Sequence, residues 1–312
     1  MLNYISGVIM IKLSLTVLLL IIGIPVSAQT RVIVPFPPGG GADIVARVLF
    51  RDITEKSGRQ FVIENISGAS GNIGRLRSIR ENTLVVTPNS LLLSAYIEKL
   101  NFVPLEEFKA VVGVGDYPYV ISAHPSFPSL NIKEFPRLAK NYGVLNISSG
   151  GAAGGSHLII NQLVKLIKFP VEFIPHKGTM DAAMSTMSGS VPLLISAIQG
   201  TSELVRSGKL RAIAVTTAQR DINLKEVPTI QEMINKPFNY PGWYGVFAPR
   251  RYDEQLANEI STNALIALQS PKIRQVMHEL SINIQNWPPE KFETFLRIDD
   301  KQWATAARGT IK

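Results

Sequence analysis

A glycine-rich segment near the start of the chain lies between a predicted strand and a predicted helix. It reads Pro35-Phe36-Pro37-Pro38-Gly39-Gly40-Gly41-Ala42-Asp43. Glycine lets backbone N–H groups approach a ligand closely, and the first turn of a helix offers unpaired N–H donors at the positive end of the helix dipole. The segment therefore predicts a binding loop for a small anion, with Asp43 as the N-cap that orients it. A plain tight turn is the alternative.

A second segment repeats this pattern in the middle of the chain. It again follows a predicted strand and opens a predicted helix, and it reads Ser148-Ser149-Gly150-Gly151-Ala152-Ala153-Gly154-Gly155-Ser156-His157. The hydroxyls of Ser149 and Ser156 are extra donors, and His157 is either a cation that pairs with the anion or a neutral structural side chain. Two such loops predict a small anion held between two lobes. A flexible loop without a ligand is the alternative.

Two other turns are weaker candidates. The turn from Pro175 to Thr179 contains Lys177, which either neutralises a carboxylate or is solvated beside Thr179 as a helix N-cap. We count Thr179 among the candidate ligand contacts. The stretch from Ser67 to Gly74 is expected to form a structural corner that brings Arg75 to the surface.

Signatures of catalysis and metal binding are scarce. The chain has no cysteine, which excludes thiolate zinc sites, iron–sulfur clusters and cysteine nucleophiles. Ser70 lies in Gly-Ala-Ser-Gly-Asn, which lacks the last glycine of a nucleophile elbow, and the four histidines do not follow zinc-protease spacing. We therefore predict no catalytic residue, no metal and no cofactor. An exported serine hydrolase is the alternative.

Composition and charge narrow the class of protein. The 312 residues are 46% hydrophobic and 18% charged, which is ordinary globular composition at a length of one large or two mid-sized domains. The net charge is +8, but the basic residues are scattered, and the densest cluster is Arg75, Arg77 and Arg80. We therefore predict no nucleic-acid partner. The mild positive field favours small anionic ligands.

Residues 1–28 have the pattern of a secretory signal peptide. The apolar run from Leu13 to Ile24 is followed by Pro25-Val26-Ser27-Ala28, and its 12 residues are fewer than the roughly 20 needed to span a bilayer. We expect cleavage after Ala28 and export to the periplasm, with translation starting at Met1 or Met10. A permanent membrane helix is the alternative.

The remaining chain alternates short β-branched runs with segments of helical periodicity, which predicts an α/β protein of two lobes. The predicted strands cover residues 32–34, 61–63, 84–86, 144–147, 171–174, 191–195, 210–215 and 243–248. The predicted helices lie near residues 44–49, 73–80, 158–164, 180–187, 253–269, 271–280 and 289–304. We expect the three last helices to pack on the first lobe.

Several motifs occur in a collinear order that is specific to one family. They are Val34 to Gly40 with Asp43, Gly71-Asn72-Ile73-Gly74, Ser148 to Leu158, Lys177-Gly178, Ser207 to Ala212, Val227-Pro228-Thr229 and Trp243-Tyr244-Gly245. Together they resemble the Bug-type substrate-binding proteins of tripartite tricarboxylate transporters.

The resemblance implies a two-lobed, periplasmic-binding-protein-like α/β fold. Each lobe would be a mostly parallel sheet flanked by helices, with the ligand cleft between the lobes. Lobe 1 would comprise residues 29–122 plus 245–312, and lobe 2 residues 123–244. The resemblance also implies a monomeric receptor without catalytic activity, which binds a small carboxylate and passes it to integral membrane transporter subunits. A ligand sensor or orphan receptor is the alternative.

The resemblance further implies which residues touch the ligand. Backbone N–H groups of the two loops would grip the carboxylate, and Asn89, after the third strand, would add a polar contact. The candidate ligand contacts are Pro38, Gly39, Gly40, Gly41, Ala42, Asp43, Asn89, Ser149, Gly150, Gly151, Ala152, Gly154, Ser156, His157 and Thr179. Pro192 and Ser196 stand where the family commonly has acidic residues, so the class of carboxylate stays open.

Overall fold

A computed structural model describes residues 29–308. The predicted signal peptide, residues 1–28, lies outside the described residues. Between residues 29 and 308, no helix combines the length and the apolar character needed to cross a bilayer.

The described strands form two sheets. The strands are β1 Thr30–Val34, β2 Phe61–Asn65, β3 Leu84–Pro88, β4 Phe108–Tyr117, β5 Tyr119–Ala123, β6 Leu145–Ser149, β7 Val171–Pro175, β8 Leu193–Ala197, β9 Arg211–Val215, β10 Gly242–Pro249 and β11 Asn283–Trp287. The first sheet has the order β11-β4-β10-β3-β1-β2, and the second has the order β7-β6-β8-β5-β9. Helices pack against both sheets, so the predicted two-lobed α/β fold is confirmed.

The described α-helices follow the chain as connections between these strands and as a C-terminal group. They are α1 Gly41–Ser57, α2 Asn72–Glu81, α3 Ser90–Leu93, α4 Pro104–Glu107, α5 Phe135–Tyr142, α6 Gly155–Ile167, α7 Thr179–Met187, α8 Ser202–Arg206, α9 Ile230–Ile234, α10 Glu254–Gln269, α11 Pro271–Glu279 and α12 Pro289–Ala307.

The sheets are mixed, which corrects the expectation of mostly parallel sheets. In the first sheet β1 pairs in parallel with β2 and β3, and in the second β6 pairs in parallel with β7 and β8. These strands belong to strand–helix–strand units, whose crossover helices require parallel pairing. Strands β10 and β5 run the other way, because β10 is antiparallel to β3 and β4, and β5 is antiparallel to β8 and β9.

The chain passes from the first sheet to the second at Pro118, between β4 and β5. It returns to the first sheet where β10 begins, at Gly242. The lobe boundaries expected from the sequence, at residues 122/123 and 244/245, therefore fall inside β5 and β10. Proline lacks a backbone N–H donor and is poorly suited to the middle of a ladder, which makes it a natural place for the chain to change sheets.

The C-terminal helices pack mainly on the first sheet. Helix α10 contacts α1 and β4, and Phe292 and Leu296 of α12 are buried against Trp243 and Phe247 of β10. The end of α12 also reaches the second lobe, where Lys165 Nζ donates to the carbonyl oxygen of Ala306 at 3.0 Å. The last helix therefore connects the two lobes.

Candidate functional site

A cavity of about 150 Å³ lies between the two lobes, at the ends of the strand-to-helix loops. The first lobe contributes the loop before α1, and the second contributes the loops before α6 and α7. The structure thus brings the two predicted anion loops together on one cavity. Ten of the fifteen candidate contacts line it, namely Pro38, Gly39, Gly40, Gly41, Ala42, Gly150, Gly151, Gly154, Ser156 and Thr179.

Helices α1, α6 and α7 begin at this cavity, and each has a glycine as its N-cap. The N-cap residues of α1, α6 and α7 are Gly40, Gly154 and Gly178, all in extended conformation, and none of them makes a side-chain capping bond. Gly178 is therefore the N-cap of α7, in place of the predicted Thr179, which is the first helical residue. Because a glycine cap supplies no side-chain acceptor, the N–H groups of these first turns remain available to a bound anion.

Side-chain caps occur at three described α-helices that begin away from the cavity, whereas α2, α4, α5, α8 and α12 have none. The side chains of Thr229, Asp253 and Ser270 accept backbone N–H bonds at the starts of α9, α10 and α11. Among the described helices, α1, α6 and α7 are the ones whose N-cap is a glycine in extended conformation, and all three start at the cavity. A small anion is the ligand that matches them best.

Asp43 supports the first loop from behind the cavity. It is the third residue of α1, so the prediction that it is the N-cap is wrong. Its carboxylate is buried and accepts hydrogen bonds from Gly39 N at 2.9 Å, Arg47 Nε at 3.0 Å and Asn65 Nδ2 at 3.0 Å. Burial raises the pKa of Asp43, but the bonds from Arg47, Gly39 and Asn65 outweigh it and hold the pKa below its ordinary value. Asp43 thus fixes the shape of the loop as a carboxylate.

Ser149, Ala152 and His157 do not line the cavity. Ser149 Oγ donates to the carbonyl oxygen of Gly151 at 2.7 Å, which shapes the second loop. His157 Nδ1 lies 3.1 Å from the carbonyl oxygen of Ala152, and its ring packs 4.6 Å from that of Phe173. Of the two roles considered for His157, the geometry matches the structural one.

Three tyrosines that the sequence reasoning missed form another part of the cavity wall. Tyr117 and Tyr119 flank the crossover at Pro118, and Tyr244 lies in β10 with its ring 4.5 Å from that of Tyr117. All three are buried, and burial raises their pKa values, that of Tyr119 to about 12. They are therefore neutral at physiological pH and offer hydroxyl groups. The Tyr-Pro-Tyr sequence at the crossover is the signal that could have found two of them.

Asn89 lies behind these tyrosines and not on the cavity surface. It is fully buried, and its Oδ1 accepts the hydroxyl of Tyr119 at 2.9 Å. Its neighbour Pro88 does line the cavity. Asn89 therefore orients Tyr119, and the turn after β3 reaches the cavity through Pro88.

Two of the helix-starting glycines allow the tyrosines to approach. A Cβ atom at Gly41 would lie 2.0 Å from Tyr244 Oη, and a Cβ atom at Gly155 would lie 2.3 Å from Tyr119 Oη. Any side chain at either position would collide with the hydroxyl. Glycine is thus required because the first turns of α1 and α6 pack directly against the tyrosine hydroxyls.

Charged side chains are almost absent from the cavity wall. Among the described residues that line it, Asp181 carries the only formal charge. Lys177, the cation considered in the third turn, is exposed and does not line the cavity. Arg75, expected at the surface, is fully buried behind the wall, because its guanidinium bonds to Thr87, Ser90 and Asn72.

Ser196 and Pro192, the two departures from the family pattern, lie differently relative to the cavity. Ser196, at one of the two departures from the family pattern, lines the cavity, and its Oγ lies 3.0 Å from Thr201 Oγ1. Pro192 does not line it. Within residues 29–308, no group of three or more histidine or carboxylate side chains is placed to hold a metal ion.

The fold and the cavity between the lobes are those of a two-lobed solute-binding protein. The chain belongs to the tripartite tricarboxylate transporter family of receptors, whose family model matches residues 45–306. The predicted Bug-type resemblance is confirmed by Protein BugT of Bordetella pertussis, which is 27% identical over 321 aligned residues covering 96% of this chain and 98% of that protein.

Solved structures agree with this assignment. Periplasmic binding protein BugD superposes with a TM-score of 0.84 at 27% identity, over 90% of this chain and 97% of that one. MatC from Rhodopseudomonas palustris, solved with bound malate, superposes with a TM-score of 0.83 at 25% identity, over 91% of this chain and 100% of that one. The family is therefore one of solute-binding receptors.

Proposed function

We propose that this chain is an exported receptor that binds a small carboxylate between its lobes and delivers it to the membrane subunits of a tripartite tricarboxylate transporter. The observation that carries the proposal is the convergence of three uncapped helix starts, those of α1, α6 and α7, on one cavity. Oriented N–H donors and helix dipoles bind a carboxylate without a cationic side chain. This accounts for a binding site at which no arginine or lysine is among the described lining residues.

The ligand contacts follow from the same geometry. Backbone N–H groups of Gly40 to Ala42 and of Gly154 to Ser156 would receive the carboxylate oxygens, and the first turn of α7 would add donors from the second lobe. The tyrosine hydroxyls and the surrounding glycine and proline surface would contact the rest of the ligand. The malate-bound MatC structure supports this choice of ligand class, because a dicarboxylate occupies a protein of the same fold.

The hydroxyl that a serine hydrolase would need is engaged in another role. Ser70 Oγ accepts the backbone N–H of Ala153 at 3.0 Å, and no histidine bonds to Ser70 among the described residues. A nucleophilic serine requires a base within hydrogen-bond reach. We therefore propose a receptor without catalytic activity.

Delivery to a membrane partner requires the lobes to open and close. The two crossovers, at Pro118 and before Gly242, are the natural hinges, and Ser70 and Ala153 bond across the cleft in the described conformation. We propose that the protein acts as a monomer in the periplasm after removal of residues 1–28, and that the closed, loaded form is the one the transporter subunits bind.

The binding proposal is tested by thermal shift and calorimetry on the chain expressed with its native N-terminal segment. Malate and adipate are compared with their amides and with neutral sugars. A ligand at 100 times its Kd adds about 2.7 kcal/mol to the free energy of unfolding, which raises Tm by several degrees. Stabilisation by a carboxylate and not by its amide is expected. Stabilisation by neutral compounds alone would refute the proposal.

A matched variant tests the geometry of the site. His157→Ala removes the only histidine of the second loop but leaves the cavity wall intact, so carboxylate binding should be unchanged. A large loss of affinity would contradict binding by the helix starts alone and would show that His157 is needed, either as a ligand contact or to hold the second loop. Delivery is tested separately by uptake of the labelled carboxylate into cells with and without this chain.

A further inference from the structure

A fully buried arginine lies directly behind the cavity wall. Arg75, in α2, has no exposed surface, and all three nitrogen atoms of its guanidinium group donate hydrogen bonds. Its Nε and Nη2 donate to Thr87 Oγ1 at 3.2 and 3.1 Å, its Nη1 donates to Asn72 Oδ1 at 2.7 Å, and its Nη2 donates to Ser90 Oγ at 2.5 Å. All of these acceptors are neutral.

The charge of Arg75 has no carboxylate in direct contact. Among the described residues no ion pair includes Arg75. The charge of Glu98 raises the pKa of Arg75, but the two side chains are connected only through Asn72, whose Nδ2 donates to Glu98 Oε2 at 3.1 Å. Burial lowers the pKa of Arg75 to about 9, which leaves it a cation at neutral pH. A buried cation without a directly bound anion is costly, unless another anion approaches it.

The cavity provides the direction from which that anion can approach. Ser90, Ser70 and Phe36 line the cavity and also contact Arg75. The guanidinium donates to Ser90 Oγ and to the carbonyl oxygen of Ser70, and it lies 6.0 Å from the ring centre of Phe36. Because Ser90 Oγ accepts from Arg75, its own O–H must point elsewhere, and it donates to no other described residue. Ser90 lines the cavity, and its O–H, which has no acceptor among the described residues, is available to a ligand there.

Ser90 also faces the start of helix α6. A Cβ atom at Gly154 would lie 3.8 Å from Ser90 Cβ, and the neighbouring Ala153 bonds to Ser70 across the cleft. This corner of the cavity therefore combines a serine hydroxyl from the first lobe, backed by a cation, with the N-terminus of a helix from the second.

We propose that one carboxylate of the ligand occupies this corner, and that Arg75 is a positioning residue that acts on it through Ser90. The inference rests on the proposed carboxylate-binding function and locates one anionic group within it. A guanidinium that donates to a hydroxyl polarises it, so the hydroxyl donates more strongly to an anion. Since the corner is made of both lobes, the same carboxylate also favours closure.

The test compares Arg75→Met, Ser90→Ala and the control Arg80→Met with the wild type. Arg80 is exposed on the same helix, so its replacement removes the same charge without touching the cavity. Calorimetry with malate, adipate and their monoamides gives the affinities. Arg75→Met and Ser90→Ala should weaken binding of the dicarboxylates about ten- to a hundredfold and reduce the preference for acid over monoamide. Arg80→Met should change neither by more than about twofold.

Two further measurements separate this role from a merely structural one. The double variant Arg75→Met with Ser90→Ala should bind the dicarboxylates no more weakly than Arg75→Met alone, because both substitutions remove the same interaction. If Arg75→Met does not fold, the test uses Ser90→Ala and Arg75→Lys instead. Because lysine keeps the positive charge, Arg75→Lys should retain part of the preference for the dicarboxylate over its monoamide.

The outcomes distinguish the two proposals. Equal loss of affinity for acid and monoamide, or equal behaviour of Arg75→Met and Arg80→Met, would overturn the role of Arg75 and leave carboxylate binding intact. A wild type that binds no carboxylate would overturn both.

Discussion

Replacing Gly41 with alanine should force Tyr244 out of its place in the cavity wall. The new Cβ atom would lie 2.0 Å from Tyr244 Oη, and ordinary contact begins at 3.4 Å, so the two groups must separate by 3.4 − 2.0 = 1.4 Å. Tyr244 is buried and stacked on Tyr117, so it cannot turn away freely. Overpacking costs about 1–3 kcal/mol, and the higher helix propensity of alanine offsets at most about 1 kcal/mol.

The expected net loss is about 1–2 kcal/mol in the free energy of unfolding, together with loss of stabilisation by a carboxylate. Chemical denaturation measured by circular dichroism, with and without malate, gives both quantities. Because the closest contact is with the hydroxyl oxygen, Tyr244→Phe should remove the 2.0 Å contact and leave the milder contact with Cζ at 3.0 Å. The double variant Gly41→Ala with Tyr244→Phe should therefore be about 1 kcal/mol more stable than the sum of the single changes predicts.

Gly40 provides the matched control. A Cβ atom at this position has Pro37 O as its nearest neighbour, at 3.5 Å, and the backbone conformation is one that alanine adopts. The effects of Gly40→Ala and Tyr244→Phe should simply add. Additive effects for Gly41 as well would show that the close approach of helix and tyrosine does not shape this site.

Two further predictions concern the lobes and their connection. Ser70→Ala removes the acceptor of the Ala153 N–H bond across the cleft. Carboxylate affinity measured by calorimetry should therefore fall about fivefold, while the Tm of the ligand-free protein stays nearly constant. Unchanged affinity would exclude a role of this bond in closing the lobes. Asp299 accepts both indole N–H groups of Trp243 and Trp303, and burial raises its pKa to about 6 from 3.8, so the folded chain holds this proton more tightly than the unfolded chain. Its contribution to the free energy of unfolding is therefore complete below about pH 4 and falls by about 3 kcal/mol as pH rises through 6. Denaturant titrations should show this fall in the wild type relative to Asp299→Asn, and a pH-independent difference would contradict it.

Much of the fold and part of the site were accessible from local sequence patterns. A β-branched run, a glycine-rich turn and a segment of helical periodicity occur in that order around Gly40 and again around Gly154, and these strand–loop–helix units are present in the structure. Such units depend mainly on residues close in sequence, so periodicity and turn composition reveal them. Parallel strands align their carboxyl ends within each sheet, which places each loop at one edge of its own lobe. The two loops belong to different sheets, so their convergence on one cavity depends on how the lobes pack together.

Strands β4, β5 and β11 were not predicted, and for β4 the reason lies in tertiary packing. Strand β4 contains Gly113 and Gly115, and glycine in a strand normally weakens the pattern that identifies it. In the structure a Cβ atom at Gly113 would lie 2.7 Å from Phe292 of α12, and one at Gly115 would lie 2.3 Å from the backbone of Asn283. The glycines are needed because elements distant in sequence pack closely against this strand.

The same limit applies to the chemistry of the cavity. Glycine-rich helix starts are visible in the sequence because the residues that form each donor set are consecutive. Tyr119 and Tyr244 are 125 positions apart, and Arg75 is buried only because Thr87 and Ser90 fold around its guanidinium. Whether an arginine is solvated or enclosed, and whether a tyrosine faces a core or a ligand, depends on neighbours that local sequence does not specify. Those placements were decided by the packing of the two lobes.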